Sequence, residues 1–131
     1  MTTEETRSYL QEMQRNRGFL LDMHRIMATA DLEWTKKYNT FVEATYPEQR
    51  LLDRKTKELL QVVTLAALRA DVEHIQVHVR LALQEGASAQ EVLQALQSVF
   101  APMGALGFRR GLLAWAAETG LEPIDVEEPG P

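Results

Sequence analysis

Three side chains between residues 52 and 88 have the types and spacing needed for proton-transfer chemistry: Glu58, His74 and His78. All three occur on segments that are otherwise strongly apolar. Burying a carboxylate or an imidazole costs free energy unless a partner compensates for the lost water, so each needs a reason to be there. Imidazole titrates near neutral pH, which suits a general acid or base that works without a cofactor.

The two histidines are four residues apart, so they share one face of a helix, and Asp71 lies on the same side. This spacing could chelate a metal ion, with Glu58 as a third ligand. The indication is weak, because HxxxH is common on helices and no HExxH is present. The alternative is one histidine bonded within the core and the other at the surface. We therefore assign no metal ligands.

Glu58 has two interpretations that the sequence leaves open. Gln61 lies three residues later on the same helical face, so the two side chains could line one pocket. Alternatively, Glu58 is an exposed first-turn acid that is favoured by the helix dipole and pairs with Lys55 or Arg54.

Other side chains are candidates for substrate binding rather than for catalysis. Arg80, Arg109 and Arg110 could hold a substrate carboxylate through paired hydrogen bonds, although such arginines are more often solvated or bound in salt bridges between subunits. The chain contains no cysteine, which excludes disulfides, thiolate metal sites and thiol redox cycles.

The elements that must position these side chains are helices. Good helix formers dominate the chain, and no sustained alternation of apolar and polar residues predicts a strand. Helix starts are predicted at these capping residues: Thr2 or Thr3, Asp31, Asp53, Asp71 and, in a capping box with Glu91, Ser88. Interruptions or ends are predicted at Gly18, Pro47, Gly86, Pro102 and Gly120. On the second helix, we expect an apolar stripe of Trp34, Tyr38, Phe41 and Val42.

These signals predict an all-α chain of about six or seven helices in a single domain. We expect N-terminal helices in residues 1–50, a core in residues 51–118 and an acidic tail in residues 119–131 that frays or lies on a neighbour. Residues 59–68 and 72–83 are apolar nearly all round, which favours burial by another subunit over burial by the chain's own helices. The chain is therefore expected to form a homo-oligomer.

The charge and hydropathy of the chain exclude several classes of partner. A net charge of -5 argues against nucleic-acid binding, which requires a basic surface. No apolar run approaches the length that spans a bilayer, and the N-terminus is polar. The expected location is the cytoplasm.

Four ordered pieces of the sequence, LDRKTKELL, VHVRLAL, QEGAS and QEVLQAL, resemble the carboxymuconolactone decarboxylase family. The resemblance covers residues 52–114, and the preceding FVEATYPEQR is also similar to members of that family. It implies an alkylhydroperoxidase D-like helical bundle that is completed by oligomerisation, as a trimer or a hexamer.

The resemblance also implies roles for particular residues. The helix acid of the family corresponds to Glu58 and its histidine to His78, which implies a catalytic pair. Asp71 and His74 occupy the positions where the alkylhydroperoxidase branch has its two cysteines, so thiol peroxidase activity is disfavoured here. The spacing between Glu58 and His78 is one residue longer than the family pattern, with the extra residue around Arg69 to Val72.

The reaction implied by the resemblance is decarboxylation of 4-carboxymuconolactone, or a similar small anionic lactone, to an enol-lactone without any cofactor. In aromatic catabolism this is the work of a carboxy-lyase. Two alternatives remain open from the sequence: a non-catalytic helical oligomer that binds a small molecule or partner, and a metal-binding helical protein.

Overall fold

The structure is a computed structural model that describes residues 2–130, and these residues form helices and no strands. The all-α prediction is therefore confirmed. The eight helices of the described residues are α1 Thr3–Arg17, α2 Asp22–Ala30, α3 Leu32–Thr45, α4 Arg54–Ala67, α5 Val72–Gln84, α6 Ala89–Ser98, α7 Phe100–Met103 and α8 Ala105–Thr119. None of these helices is long and apolar enough to cross a membrane.

Most helix ends lie where the capping residues predicted them. Thr2 and Ser88 each form a complete capping box, with Glu5 and Glu91 respectively. The Asp53 carboxylate accepts the backbone N–H of Thr56 at 2.8 Å, which caps α4. These caps satisfy backbone donors that the first helical turn leaves without partners.

The structure differs from the prediction at two helix boundaries. Gly18 does not merely interrupt one long helix. It adopts a left-handed conformation and ends α1, so that α2 begins independently at Asp22. Near Pro102, the helix ends earlier than predicted, at Ser98, and Pro102 lies inside the short α7. These two differences explain why the structure has more helices than expected.

The described residues divide into two compact units, 2–57 and 58–130, with the division falling within α4. In the first unit, α2 packs against both α1 and α3. The predicted stripe on α3 is wrong, because Trp34 and Phe41 are exposed and the buried face consists of Leu32, Thr35 and Asn39. A polar contact explains why α3 buries an asparagine: the buried Arg17 donates to its side-chain oxygen at 2.6 Å.

In the second unit, α8 packs against α5, α6 and α7. The core of this unit is formed by small and branched apolar side chains, together with one tryptophan whose indole N–H donates to the carbonyl of Ala89 at 2.7 Å. Helix α4 approaches α8 closely at Gly107, where an added Cβ would lie only 2.5 Å from the backbone oxygen of Ala66. Glycine at that position is therefore required by space rather than by backbone conformation.

Candidate functional site

Glu58 and His78 meet in the interior of the second unit. The Nδ1 atom of His78 lies 3.3 Å from Oε1 and 3.2 Å from Oε2 of Glu58. The residues are 0% and 2% exposed, respectively. The interpretation of Glu58 as a surface acid is therefore wrong, and the two residues that the resemblance selected are brought together.

The apolar faces of two helices place this pair. On α4, Glu58 is the first member of a buried row that continues with Val62 and Ala66 at intervals of four residues. On α5, His78 lies on a buried face between Ile75 and Ala82. Each titratable group thus takes a core position on its own helix, and helix packing rather than loop geometry brings the groups together.

The turn between α4 and α5 lies in the region where the sequence places the extra residue between Glu58 and His78. Arg69 has a φ of 59°, the left-handed conformation that glycine usually adopts. Its N–H bonds to the carbonyl of Ala66, and the N–H of Ala70 bonds to that of Leu65, each at 3.0 Å. This is the Schellman pattern of helix termination. The chain thus reverses between the helices while Glu58 and His78 remain in contact.

The contact determines what His78 can do chemically. An ionised carboxylate only accepts hydrogen bonds, so in the tautomer that carries a proton on Nδ1, His78 donates to an ionised Glu58. This assignment fixes the ring orientation and leaves Nε2 as the atom that can give or take a proton. The arrangement is that of a general acid or base held by a buried carboxylate.

His74 lies beside this pair, one turn earlier on α5. Its ring centroid is 5.5 Å from that of His78, with the two planes inclined at 46°. Burial lowers the pKa of His74 below its usual value, and the neighbouring His78 lowers it further, while Asp71 acts in the opposite direction. A histidine with a depressed pKa is neutral at pH 7, so the half-buried His74 adds no positive charge next to His78.

The remaining predicted pocket residues are less closely involved. Gln61 is half-buried on α4, and Asp71 is exposed at the start of α5. Asp71 does not cap the helix through its side chain, although its carbonyl accepts the N–H groups of His74 and Ile75. Neither Gln61 nor Asp71 forms a hydrogen bond to Glu58 or His78 within residues 2–130.

The three predicted arginines do not converge on the pair. Arg80 forms two hydrogen bonds to the carboxylate of Glu118, at 2.9 and 3.3 Å. Arg110 donates to the carbonyl of Ala70 at 3.3 Å, and Arg109 is exposed. Glu118 was not singled out from the sequence, because it lies 38 residues from Arg80 and no local spacing connects them.

Two further observations concern metal binding and the clefts of a single chain. Within the described part of the chain, no three His, Cys, Asp or Glu side chains are grouped so that they could bind a metal ion. The metal-site hypothesis, with His74, His78 and a carboxylate as ligands, therefore has no support from the geometry. Four clefts of about 340 to 540 Å³ open among residues 2–57, and none of the four is lined by Glu58, His74 or His78.

Comparison with known proteins gives one match. A family model described as "Carboxymuconolactone decarboxylase family" matches residues 33–121, which include both Glu58 and His78. No curated protein and no solved structure matches the chain. The match begins at residue 33, before the FVEATYPEQR piece, and ends at residue 121, beyond the resemblance found in the sequence.

Proposed function

We propose that this chain, which belongs to the carboxymuconolactone decarboxylase family, is a cofactor-free carboxy-lyase for a small carboxylated lactone such as 4-carboxymuconolactone. The observation that carries the proposal is the buried contact of 3.2 to 3.3 Å between Glu58 and His78. An orientated imidazole is a suitable proton donor for a reaction that needs no cofactor. With no cysteine in the chain, thiol peroxidase chemistry is disfavoured.

The proposed reaction begins with cleavage of the bond between the ring carbon and its carboxylate. Carbon dioxide leaves, and the electron pair moves through the conjugated double bond onto the lactone carbonyl as a dienolate. His78, in its imidazolium form, gives its Nε2 proton to the carbon next to that carbonyl and becomes neutral. Glu58 holds Nδ1 and stabilises the imidazolium, and water later restores the proton. Donors aimed at the developing oxyanion would lower the barrier further.

Substrate binding requires two further conditions. Since His78 is only 2% exposed, a substrate reaches Nε2 only when the side chains covering it move. We propose that His74 and Gln61 line the space so opened, with Asp71 nearer the surface. A second substrate carboxylate needs a cation. Arg109 is the predicted arginine with no bond inside residues 2–130, whereas Arg80 and Arg110 are engaged.

Assembly is the remaining part of the proposal. Leu60 on α4 and Leu68 in the turn that follows it are 50% and 73% exposed, although the surrounding sequence is apolar nearly all round. We propose that other copies of the chain cover these faces in a homo-oligomer, a trimer or a hexamer. Subunit walls around α4 and α5 would also exclude water from the reacting carbon.

The test is release of carbon dioxide from 4-carboxymuconolactone, followed together with formation of the enol-lactone. Wild-type protein is expected to accelerate the release, and His78→Ala to lose roughly 10² to 10⁴ of the rate, the usual contribution of a positioned acid. Glu58→Gln should lower kcat while largely preserving KM, because it orients the acid without touching the substrate.

Glu85→Gln is a matched control, since Glu85 is exposed beyond the end of α5. It should retain wild-type activity. If wild type and His78→Ala release carbon dioxide equally slowly from the lactone and its analogues, the decarboxylase proposal is wrong. The chain would then be interpreted as a non-catalytic helical oligomer that retains the family scaffold.

A further inference from the structure

A cleft of about 470 Å³ in the first unit lies between α1 and α2, far along the sequence from the catalytic pair. Its volume is in the range of pockets that bind small molecules or peptide side chains. Leu10 from α1 and Leu20 from the connection to α2 provide an apolar surface. Thr29 and Gln14 add hydrogen-bonding groups to its lining.

The charge of this cleft is opposite to that of the protein as a whole. Among residues 2–130, the charged side chains that line it are Arg7 and Arg25, one from each helix, although the chain has a net charge of -5. A cleft of similar volume on another side of α1 is lined by three glutamates and one lysine. The α1–α2 cleft is therefore suited to an anionic occupant, because the charged side chains that line it, Arg7 and Arg25, are both cationic.

The two arginines have free capacity for a carboxylate. Arg7 donates to Glu4 through Nη1 at 2.6 Å, which leaves the rest of its guanidinium group available. Arg25 forms no hydrogen bond or ion pair with any of residues 2–130. A guanidinium group presents paired donors that match a carboxylate, so each arginine can bind an acidic side chain.

The C-terminal tail, residues 121–130, has the complementary character. It contains four acidic residues and no basic one, and it forms no helix. Ile124 and Val126 are 92% and 83% exposed, so two apolar side chains are left without cover. In an extended segment, alternate residues share a face, which places these two between Glu122 and Glu128.

Part of the tail is biased toward extended conformations before it binds anything. Pro123 fixes its own φ, and a residue that precedes proline is biased toward extended conformations. Less conformational entropy is then lost on docking than for a freely flexible segment. An edge with two apolar and two acidic side chains thus matches the composition of a cleft lined by two leucines and two arginines.

We propose that the tail of one subunit docks in the α1–α2 cleft of a second copy of this chain. Ile124 and Val126 contact Leu10 and Leu20, and acidic side chains of the tail bind Arg25 and Arg7. The contact explains two otherwise unrelated features, an exposed apolar tail and a cationic cleft in an acidic protein. It does not depend on the decarboxylase proposal.

The test uses full-length chains in two differently labelled populations. The chain contains no cysteine, so Gly130→Cys provides one attachment point for a nitroxide at the end of the tail. These chains are mixed with chains that have methyl-labelled leucines and no nitroxide. Contact between copies should broaden the methyl signals of Leu10 and Leu20, and reduction of the nitroxide should restore them.

Charge reversal then tests the recognition itself. Arg25→Glu in the methyl-labelled chain should weaken the contact at least about tenfold, the effect expected for one charge-assisted pair. Arg15→Glu is the matched control, because Arg15 is exposed on α1 and lines none of the clefts. Reversal of a single tail acid, Glu122→Arg or Glu128→Arg, should restore binding to Arg25→Glu when the reversed residue is the one that faces position 25, while the other acid keeps its contact with Arg7.

Two results would overturn the proposal. In one, the signals of Leu10 and Leu20 keep their intensity in the mixed sample. In the other, broadening occurs only when nitroxide and methyl label are on the same chain, which would mean that the tail docks on its own subunit. The tail variants keep the test valid if Arg25→Glu fails to fold, because their substitutions lie outside every helix.

Discussion

The burial of Glu58 shows how far a single residue can be understood from the sequence. Viewed with its neighbours Arg54 and Lys55, it has the features of an exposed first-turn acid. Its actual position follows from the row that it forms with Val62 and Ala66, which is buried against the rest of the second unit. What the spacing could not supply is the partner: His78 is twenty residues away, and only the packing of two helices brings it within 3.3 Å.

His74 should make the stability of the protein depend on pH. Its pKa is lowered in the folded state, chiefly by burial and then by His78, so the unfolded chain binds the proton more tightly. Stability is therefore fully present above the unfolded pKa of about 6.5 and decreases as the pH falls from there toward the folded value.

Thermal unfolding of wild type and His74→Gln between pH 8 and pH 5 measures this contribution. The difference in Tm between the two proteins should change across the window, with the wild type losing more stability on acidification. Asp71→Asn is a useful comparison, since Asp71 raises the pKa of His74 and its removal should steepen the loss. Parallel curves for wild type and His74→Gln would contradict the prediction.

At the scale of helices, the sequence predicted what local chemistry determines. The capping boxes at Thr2 and Ser88 and the end of α8 at Gly120 need only neighbouring residues, and the structure confirms them. The buried face of α3 was predicted wrongly, because it is selected by a polar partner from another helix. Asn39 is buried because its side-chain oxygen accepts a hydrogen bond from the buried Arg17. The pattern of apolar residues does not indicate this contact.

The turn after α4 should be stabilised by glycine. Arg69 is the one residue other than glycine with positive φ among residues 2–130, and its side chain is exposed. A left-handed conformation costs an L-residue about 1 kcal/mol relative to glycine. Arg69→Gly is therefore expected to raise the free energy of unfolding by roughly that amount, measured by urea denaturation.

Arg69→Ala serves as the control for loss of the arginine side chain. It should show no comparable gain, because alanine retains the strain of the left-handed conformation. Equal stability of the glycine and alanine variants would show that the turn does not store this strain.

The contact between α4 and α8 should distinguish two glycines on the same helix. A Cβ at Gly107 would lie 2.5 Å from the Ala66 backbone oxygen, whereas one at Gly111 would meet the end of the Leu96 side chain at 2.6 Å. A side-chain end can rotate away, and a helix backbone cannot. Gly107→Ala should thus cost on the order of 1 to 3 kcal/mol, the usual range for overpacking, and Gly111→Ala distinctly less.

Chemical denaturation of both variants measures this difference directly. Each alanine gains the same helix propensity, so the pair of substitutions isolates the steric contribution. A Gly107→Ala variant as stable as Gly111→Ala would mean that α4 can shift away from α8, and with it Glu58.

At the scale of the whole molecule, the exposed leucines of the second unit predict association. Leu60 on α4 and Leu106 and Leu113 on α8 are 43% to 62% exposed, and covering the exposed half of such a side chain contributes roughly 1 kcal/mol. We expect light scattering to report the mass of a trimer or hexamer, three or six times that of a 14.9 kDa chain.

Leu60→Glu tests whether the exposed face of α4 forms this interface. A carboxylate in a buried contact loses its water without gaining a partner, so the variant should dissociate at concentrations where the wild type is assembled. Gln94→Glu adds the same charge at an exposed position of α6 and should leave the mass unchanged.

If the wild type has the mass of one chain, the exposed apolar surface does not form an interface between copies. If the wild type assembles and Leu60→Glu keeps the same mass, the interface lies elsewhere. Loss of assembly together with loss of carbon dioxide release would connect the interface to the surroundings of Glu58, which lies only two residues before Leu60.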